Sequence, residues 1–203
     1  IEDHQRAIEG DRPELLSACG RPLGEAEVEV LDDDGHPVTG DAIGEICVRG
    51  PDVFAGYWRA EEQTREVLQA DGWLRTGDLA RVDHEGYIHI VDRRKEMLVS
   101  GGFNVYPSEV EAVLAQHPAL YEVCVIGVPD DHWGEAVKAV VVRRPGQEAT
   151  AAEVMDFCKG RLADFKRPRS VDFVPALPKN PNGKMSRKDV REPYWRGRER
   201  RVN

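Results

Sequence analysis

Residues Asp92 to Glu111, DRRKEMLVSGGFNVYPSEVE, join two parts of the chain that have different sequence patterns. The segment begins with four charged residues, and two short apolar runs follow on either side of Gly101-Gly102. Pro107 then opens a helical pattern, because proline is tolerated in the first helical turn, where its missing N–H is not needed. The segment predicts a hairpin followed by a helix. Taken alone, it indicates a charged linker in front of a strand and helix unit.

The residues before this segment show the apolar alternation that is typical of strands. Ala26–Leu31 and Ile43–Arg49 both alternate, and Ala80–Asp83 with Tyr87–Val91 forms the clearest predicted hairpin. Glu61–Gln69 is predicted as a short helix. We therefore expect this part to be mostly β-structure, arranged as a small barrel or a curled sheet.

The residues after the segment alternate between strand and helix signals. Glu122–Val128 and Ala136–Arg143 are rich in β-branched residues, and Val171–Val174 predicts one more short strand. Thr150 with Glu153 three residues later forms a capping box, which marks the start of a helix. The predicted fold class is α+β. A small barrel-like subdomain is followed by a small domain of about three strands with flanking helices.

The composition is that of a globular protein. The chain has 203 residues, of which 40% are hydrophobic and 32% are charged, enough for one ordinary domain or two small ones. No run approaches the ~20 apolar residues that span a bilayer, and Ile1–Gly10 is too charged for a signal peptide. We expect a soluble, cytoplasmic protein without a transmembrane segment.

The four cysteines are scattered and form no C-x-x-C pair or His-rich metal spacing. Cys47, Cys124 and Cys158 lie in apolar runs, where a free thiol usually behaves as a small buried hydrophobe. The sequence therefore predicts neither disulfides nor a zinc site, and no metal ligands are assigned.

The charge is unevenly distributed along the chain. The net charge of −9 argues against a general nucleic-acid binder. Lys179–Asn203 nevertheless carries nine Lys or Arg residues against three Asp or Glu residues. On charge alone, this basic tail could be a solvated end, an RNA-binding arm or part of a site for phosphates.

Three further segments, together with Asp92–Glu111, carry a resemblance to a known family. They are GEICVRG (Gly44–Gly50), WLRTGDL (Trp73–Leu79) and NGKMSR (Asn182–Arg187). In this order, the four segments resemble the adenylate-forming enzymes of the ANL superfamily, in the branch of the acyl-CoA synthetases and fatty-acid CoA ligases. The resemblance runs from about Gly20 to Arg187 and covers only the C-terminal portion of such a ligase.

The resemblance implies a division of the chain into three parts. Residues 1–91 would be the last β-rich subdomain of an incomplete N-terminal domain, residues 92–95 the hinge, and residues 96–203 the mobile C-terminal domain. We expect several hundred residues upstream in the parent enzyme. Lys95 would be the hinge residue around which the C-terminal domain swings.

Two residues of the first part are candidates for nucleotide binding. A carboxylate such as Asp78 can accept hydrogen bonds from the two vicinal hydroxyls of a ribose, and the guanidinium of Arg93 offers paired donors. Taken alone, Asp78 is a turn residue and Arg93 is half of an exposed ion pair. The resemblance implies that both bind ATP, with Asp78 on the ribose hydroxyls.

Three residues of the second part are candidates for the two reactions of the family. Lys184 lies in a Pro-Asn-Gly-Lys loop, from which a flexible cation could stabilise the charge that develops on the α-phosphate and pyrophosphate. The resemblance makes Lys184 the catalytic residue of adenylation, and it places the pantetheine arm of coenzyme A against Gly101 and Gly102. Many ligases of this branch carry a lysine where Val99 stands, so no role is transferred to that position.

The resemblance implies an acid–CoA ligase that uses a carboxylic acid, ATP with Mg²⁺, and CoA as substrates, with no bound cofactor in this portion. A homodimer is one assembly it allows, and nucleic acid is not an expected partner. We expect this portion by itself to be inactive, and the acid to be selected by residues that it lacks. Two alternatives stay open: an adenylation enzyme that loads a carrier protein, and a non-catalytic module that binds through the basic tail.

Overall fold

A computed structural model of the chain describes residues 7–8, 10 and 12–197. The basic tail beyond residue 197, including Arg198, Arg200 and Arg201, lies outside the described residues. The chain divides into two compact units, Ile1–Arg94 and Lys95–Asn203. Within the described ranges, no helix is long and apolar enough to cross a membrane.

The first unit is built on a four-stranded antiparallel sheet in the order β1-β2-β3-β4. Val30, Ala80 and Ile88, each from a different strand, pack together as a buried cluster. The strands are β1 (Glu27–Leu31), β2 (Gly44–Arg49), β3 (Leu74–Val82) and β4 (Ile88–Arg93), with helix α1 (Glu61–Val67) before β3 and a 3-10 turn at Pro13–Ser17.

The alternation in the sequence predicted these strands, but not the way the sheet ends. Among the described residues β1 and β4 do not pair with each other, so the sheet is open and the predicted barrel-like closure is not confirmed. Helix α1 is also two residues shorter than predicted. It ends at Val67 because Leu68 has extended backbone angles and forms a β-bridge with Leu74.

The turn between β3 and β4 is organised by one carboxylate. Asp83 accepts hydrogen bonds from the backbone N–H groups of Glu85 and Tyr87, at 2.9 and 3.0 Å. Its Oδ2 also lies 2.9 Å from Nε2 of the buried His89. Burial alone would raise the pKa of Asp83, but the hydrogen bonds from His89, Tyr87 and Glu85 outweigh it and lower the pKa to about 2.

This lowered pKa makes the β3–β4 hairpin sensitive to acid. A carboxylate with a lowered folded-state pKa stabilises the fold above its unfolded pKa, near 3.8, and loses that contribution as the pH falls towards about 2. We expect Asp83→Asn to weaken hydrogen-exchange protection of residues 80–91 at pH 5, and the difference from wild type to shrink between pH 4 and pH 2. Asp34→Asn, in the exposed β1–β2 turn, is the matched control. A difference that does not change over this pH range would contradict the role given to Asp83.

The second unit is a five-stranded sheet in the order β6-β5-β8-β7, with β9 parallel to β8 and the other pairs antiparallel. The strands are β5 (Leu98–Ser100), β6 (Phe103–Val105), β7 (Leu120–Asp130), β8 (Gly134–Arg143) and β9 (Ser170–Phe173). The helices are α2 (Pro107–Leu114), α3 (Ala151–Phe157) and α4 (Arg187–Arg191), with 3-10 turns at Asp164–Lys166 and Glu192–Trp195. A further 3-10 turn, Arg94–Glu96, lies at the boundary between the two units.

Both faces of this sheet are covered, which explains the nearly continuous apolar runs of β7 and β8. Val125 of β7 packs in the cluster that includes residues of α2 and α3, whereas the adjacent Cys124 and Ile126 face the opposite cluster. The opposite cluster includes Val190 of α4, with Met185 packed against it. The segment that carries Lys184 is therefore anchored on the second face of the sheet.

The structure confirms the predicted capping box and extends the predicted strand count. Thr150 Oγ1 accepts from Glu153 N at 3.3 Å, and the Glu153 carboxylate accepts from Thr150 N at 2.8 Å. The second unit has five strands and three helices rather than about three strands with flanking helices. The hairpin predicted around Gly101-Gly102 is present as β5 and β6 and adds two strands to this sheet, and α4 is an additional helix. The helix after Thr150 ends at Phe157, and Leu162 packs against the same core from the following loop.

Candidate functional site

Asp78 and Arg93 lie opposite each other on neighbouring strands of the first unit. They are registered partners of β3 and β4, and Arg93 Nε donates to Asp78 Oδ1 at 3.1 Å. Their side chains are 30% and 62% exposed, so solvent and a ligand can reach both. The structure thus brings the two predicted nucleotide-binding residues together.

Sequence reasoning missed the buried group behind this pair. Glu45 Oε1 accepts from Gly77 N at 2.9 Å, and Glu45 Oε2 lies 3.3 Å from both Arg75 Nη1 and Arg94 Nε. Glu45 is only 4% exposed, next to a bulge in β2. It fixes the backbone just before Asp78. The sequence carries no signal for its burial, since Glu45 lies at a polar position of the strand, out of phase with Ile46 and Val48.

Gly101 and Gly102 form the turn between β5 and β6, with φ of +58° and +83°. Gly101 N donates to Trp133 O at 3.0 Å, and a Cβ on Gly101 would lie 2.6 Å from Trp133 Cζ3. A Cβ on Gly102 would meet nothing within 4 Å. Gly101 is therefore required by its contact with the indole, whereas Gly102 leaves an open surface at the tip of the turn.

Trp133 is itself held in place by several contacts. The backbone N–H groups of Trp133 and His132 donate to Asp130 Oδ1 at 2.8 and 2.9 Å. These bonds hold the pKa of Asp130 below its ordinary value. Arg169 lies over the indole, 5.3 Å from the ring centroid. The turn at Gly101 therefore rests on a fixed aromatic side chain.

Lys184 lies on the returning side of a tight loop that is organised by Asn180. Asn180 Oδ1 accepts from the N–H groups of Asn182 and Lys184, both at 3.0 Å, and Asn180 N donates to Lys184 O at 2.8 Å. Ser186 N donates to Pro178 O at 2.9 Å and closes the base of the loop. The backbone of Lys184 is fixed by these bonds.

The backbone of Lys184 is held by hydrogen bonds, but its side chain is not held in this way. It is exposed, and no ion pair or hydrogen bond involves its Nζ among the residues the structure describes. Lys179, at the base of the same loop, is paired instead with Glu122 at 2.7 Å. The loop therefore presents an ammonium group that is available to an anionic ligand.

The predicted hinge residue, Lys95, is exposed and lies in the 3-10 turn at the boundary between the two units.

The cysteines offer no nucleophile. All four are free thiols, and the predicted burial of Cys47, Cys124 and Cys158 is confirmed. Burial, with the nearby Glu111 carboxylate, raises the pKa of Cys124 to about 12, so this thiol stays protonated. Asp32, Asp34 and His36 approach one another closely, but they are the side chains of the β1–β2 turn, where Asp32 accepts the N–H groups of the other two.

The chain matches two family models and is similar in sequence to proteins of known activity. The family model for the AMP-binding enzyme C-terminal domain matches residues 109–184, and that for the AMP-binding enzyme matches residues 6–58. The medium/long-chain-fatty-acid–CoA ligase FadD8 of Mycobacterium tuberculosis is 48% identical over 201 residues, which cover 95% of this chain and 35% of that protein. The fatty acid–[acyl-carrier-protein] ligase ScoC of Streptomyces coeruleorubidus is 40% identical, covering 93% of this chain and 36% of that protein.

The chain is also similar to solved structures. ATP-bound MatB from Rhodopseudomonas palustris matches with a TM-score of 0.82 and 42% identity, covering 88% of this chain and 36% of that one. The amide bond synthetase McbA from Marinactinospora thermotolerans matches with a TM-score of 0.81 and 41% identity, covering 91% of this chain and 38% of that one. The chain thus spans little more than a third of the length of these relatives. It belongs to the adenylate-forming AMP-binding enzymes and contains the C-terminal domain of that family.

Proposed function

We propose that this chain is the C-terminal portion of a carboxylic acid–CoA ligase. The enzyme would join an acid to ATP as an acyl-adenylate, releasing pyrophosphate, and then transfer the acyl group to the thiol of CoA, releasing AMP. The observation that carries the proposal is the Lys184 ammonium, which has no protein partner among the described residues although its backbone is fixed. A cation held in this way is suited to a ligand whose negative charge grows during reaction.

In the first half-reaction, the acid carboxylate attacks the α-phosphorus of ATP and pyrophosphate leaves. Lys184 would stabilise the negative charge that develops on the phosphate oxygens. Asp78 would accept hydrogen bonds from the ribose hydroxyls, with Arg93 beside it as a second nucleotide contact. Mg²⁺ would neutralise further phosphate charge through residues outside this chain.

In the second half-reaction, the CoA thiol attacks the acyl carbonyl and AMP leaves. The Gly101-Gly102 turn would take the pantetheine arm, since its tip has an open surface beside a fixed indole. We propose that residues 92–95 are the hinge and that rotation about Lys95 presents one face of the C-terminal domain in the first half-reaction and another face in the second. Such a rotation is a hinge motion. It explains why Lys184 and Gly101 can serve separate steps.

CoA is the acceptor we favour, with a carrier protein as the alternative. The Ser-Gly-Gly turn and the hinge lysine favour the CoA branch. By their names, FadD8 is a CoA ligase, ScoC is an acyl-carrier-protein ligase and McbA is an amide bond synthetase, at 48%, 40% and 41% identity. Because proteins this similar differ in acceptor, overall identity supports the adenylating step more strongly than the acceptor.

The test is product analysis with the full-length protein that carries this sequence. It would be incubated with ATP, Mg²⁺, CoA and a panel of short, long, aromatic and dicarboxylic acids, and AMP, pyrophosphate and thioester would be quantified. We expect acid-dependent pyrophosphate together with a CoA thioester. Acid-dependent pyrophosphate without a CoA product would favour the carrier-protein alternative, and no turnover with any acid would contradict the ligase proposal.

A further inference from the structure

Arg187 follows the Lys184 loop and reaches into the body of the second unit. Its Nη2 lies 2.7 and 2.8 Å from the two carboxylate oxygens of Glu111, and its Nε donates to Val125 O at 3.1 Å. The side chains of Arg187 and Glu111 are 14% and 17% exposed. This pair is therefore far less solvated than an ordinary surface ion pair.

The Arg187–Glu111 pair bonds the open edge of the sheet at one residue. β7 pairs only with β8 among the described strands, so it is an edge strand. Glu111 Oε1 accepts from Val125 N at 2.8 Å, while Arg187 Nε donates to the carbonyl of the same residue. Both main-chain groups of Val125 are thus satisfied by one ion pair, which ties α2, β7 and the start of α4 together.

A second carboxylate extends this cluster towards the unit boundary. Glu96, which directly follows Lys95, is largely buried, and its Oε2 lies 3.9 Å from Arg187 Nη1 and 4.0 Å from Arg191 Nη1. That oxygen has no hydrogen bond among the described residues. Arg187 is therefore held tightly by Glu111 on one side and more loosely by Glu96 on the other.

We propose that Arg187 and Glu111 are positioning residues for Lys184, an inference that rests on the proposed function. Lys184 is separated from Arg187 by Met185 and Ser186. Met185 forms a β-bridge with Lys179, and Ser186 N donates to Pro178 O, so this short connection is held at both residues. The Arg187–Glu111 pair thereby sets where the ammonium stands on the second face of the sheet. Through Glu96, the same cluster connects the residue after the hinge to the loop, so a rotation at Lys95 carries the ammonium with it.

The guanidinium is necessary for this role because it is a planar fork. Its donors reach both Glu111 oxygens and the Val125 carbonyl at once, whereas a lysine ammonium is a point charge that cannot reproduce this set. Arg187→Lys keeps the charge but loses the fork. Glu111→Gln keeps the shape but loses the charge and one of the two acceptor oxygens.

The experiment measures both half-reactions in the full-length enzyme carrying Arg187→Lys, Glu111→Gln or Lys184→Ala. Adenylation is followed as pyrophosphate release, and thioesterification as thioester formation from supplied acyl-adenylate and CoA. We expect the two positioning variants to lose roughly 10- to 100-fold in the kcat of adenylation. Thioesterification should stay within about twofold and the KM for ATP within about threefold, because the Gly101-Gly102 turn and Asp78 are untouched. Arg143→Lys is the matched control, a partly buried arginine of β8 that bonds Ala149 O.

The ratio of the two rates is insensitive to partial unfolding, because both half-reactions need a folded second unit. Equal losses in both half-reactions would overturn the inference and leave the pair a purely structural element. No loss of adenylation in either variant, with Lys184→Ala inactive in that step, would also overturn it. Retained adenylation in Lys184→Ala would instead remove Lys184 from the catalytic role, and the positioning inference with it, whereas absence of adenylation in the wild-type enzyme would contradict the proposed function.

Discussion

Lys184→Ala is expected to lower the rate of acyl-adenylate formation in the full-length protein by about 10²- to 10³-fold. The reason is that the ammonium is the one charged group of its loop left available, since Lys179 beside it is paired with Glu122. Removing a cation that acts on charge developing in the transition state lowers kcat more than it raises KM. The measurement is acid-dependent pyrophosphate release at saturating ATP.

The control for this variant is Lys188→Ala, which removes another exposed lysine from the adjacent helix α4. It should leave pyrophosphate release within about twofold of wild type, as expected for a surface substitution. Lys184→Ala should still convert supplied acyl-adenylate to thioester. A variant that keeps its adenylation rate would remove Lys184 from the catalytic role.

Gly101→Ala is expected to impair the other half-reaction by roughly 10²-fold while leaving adenylation within about threefold. The added Cβ would lie 2.6 Å from Trp133 Cζ3, so either the turn or the indole must move. The backbone of Gly101 also has a φ of +58°, which costs about 1–2 kcal/mol for a residue with a side chain. The measurement is thioester formation from supplied acyl-adenylate and CoA.

Gly146→Ala separates the steric effect from the backbone effect. Gly146 has a φ of +74° in the turn after β8, and a Cβ there would meet nothing within 4 Å. It carries the same kind of backbone strain without the clash, so thioester formation should stay near the wild-type rate. Similar losses in both glycine variants would mean that general destabilisation, and not the contact with Trp133, causes the defect.

The sequence predicted the long strands and the capped helix well, because these depend on local patterns. β7 and β8 are long runs rich in β-branched residues, and the Thr150 capping box marks the start of its helix. The hairpin of β5 and β6 was also predicted, but not its place in this sheet, which it joins through one registered pair, Ser100 with Gly134. The number of strands in that sheet and the closure of the other one depend on such tertiary pairings.

In the candidate site, too, features set by local sequence were predicted and features set by contacts between distant residues were not. Short motifs predicted where Asp78, Arg93, Lys184 and the Gly101-Gly102 turn would matter, and the structure brings Asp78 and Arg93 into direct contact. The supporting residues were missed because their partners are distant in the chain. Glu45 is 32 residues from Gly77, and Glu111 is 76 residues from Arg187. No periodicity or motif connects residues at these separations.

We propose that one small domain uses two separate surfaces for two successive reactions. The most direct test measures both half-reactions side by side in Lys184→Ala and Gly101→Ala of the full-length protein. The prediction is a crossed pattern, in which the lysine variant loses only adenylation and the glycine variant loses only thioester formation. If both variants lost the same half-reaction, or both reactions in equal proportion, the claim of two separately used surfaces would be wrong.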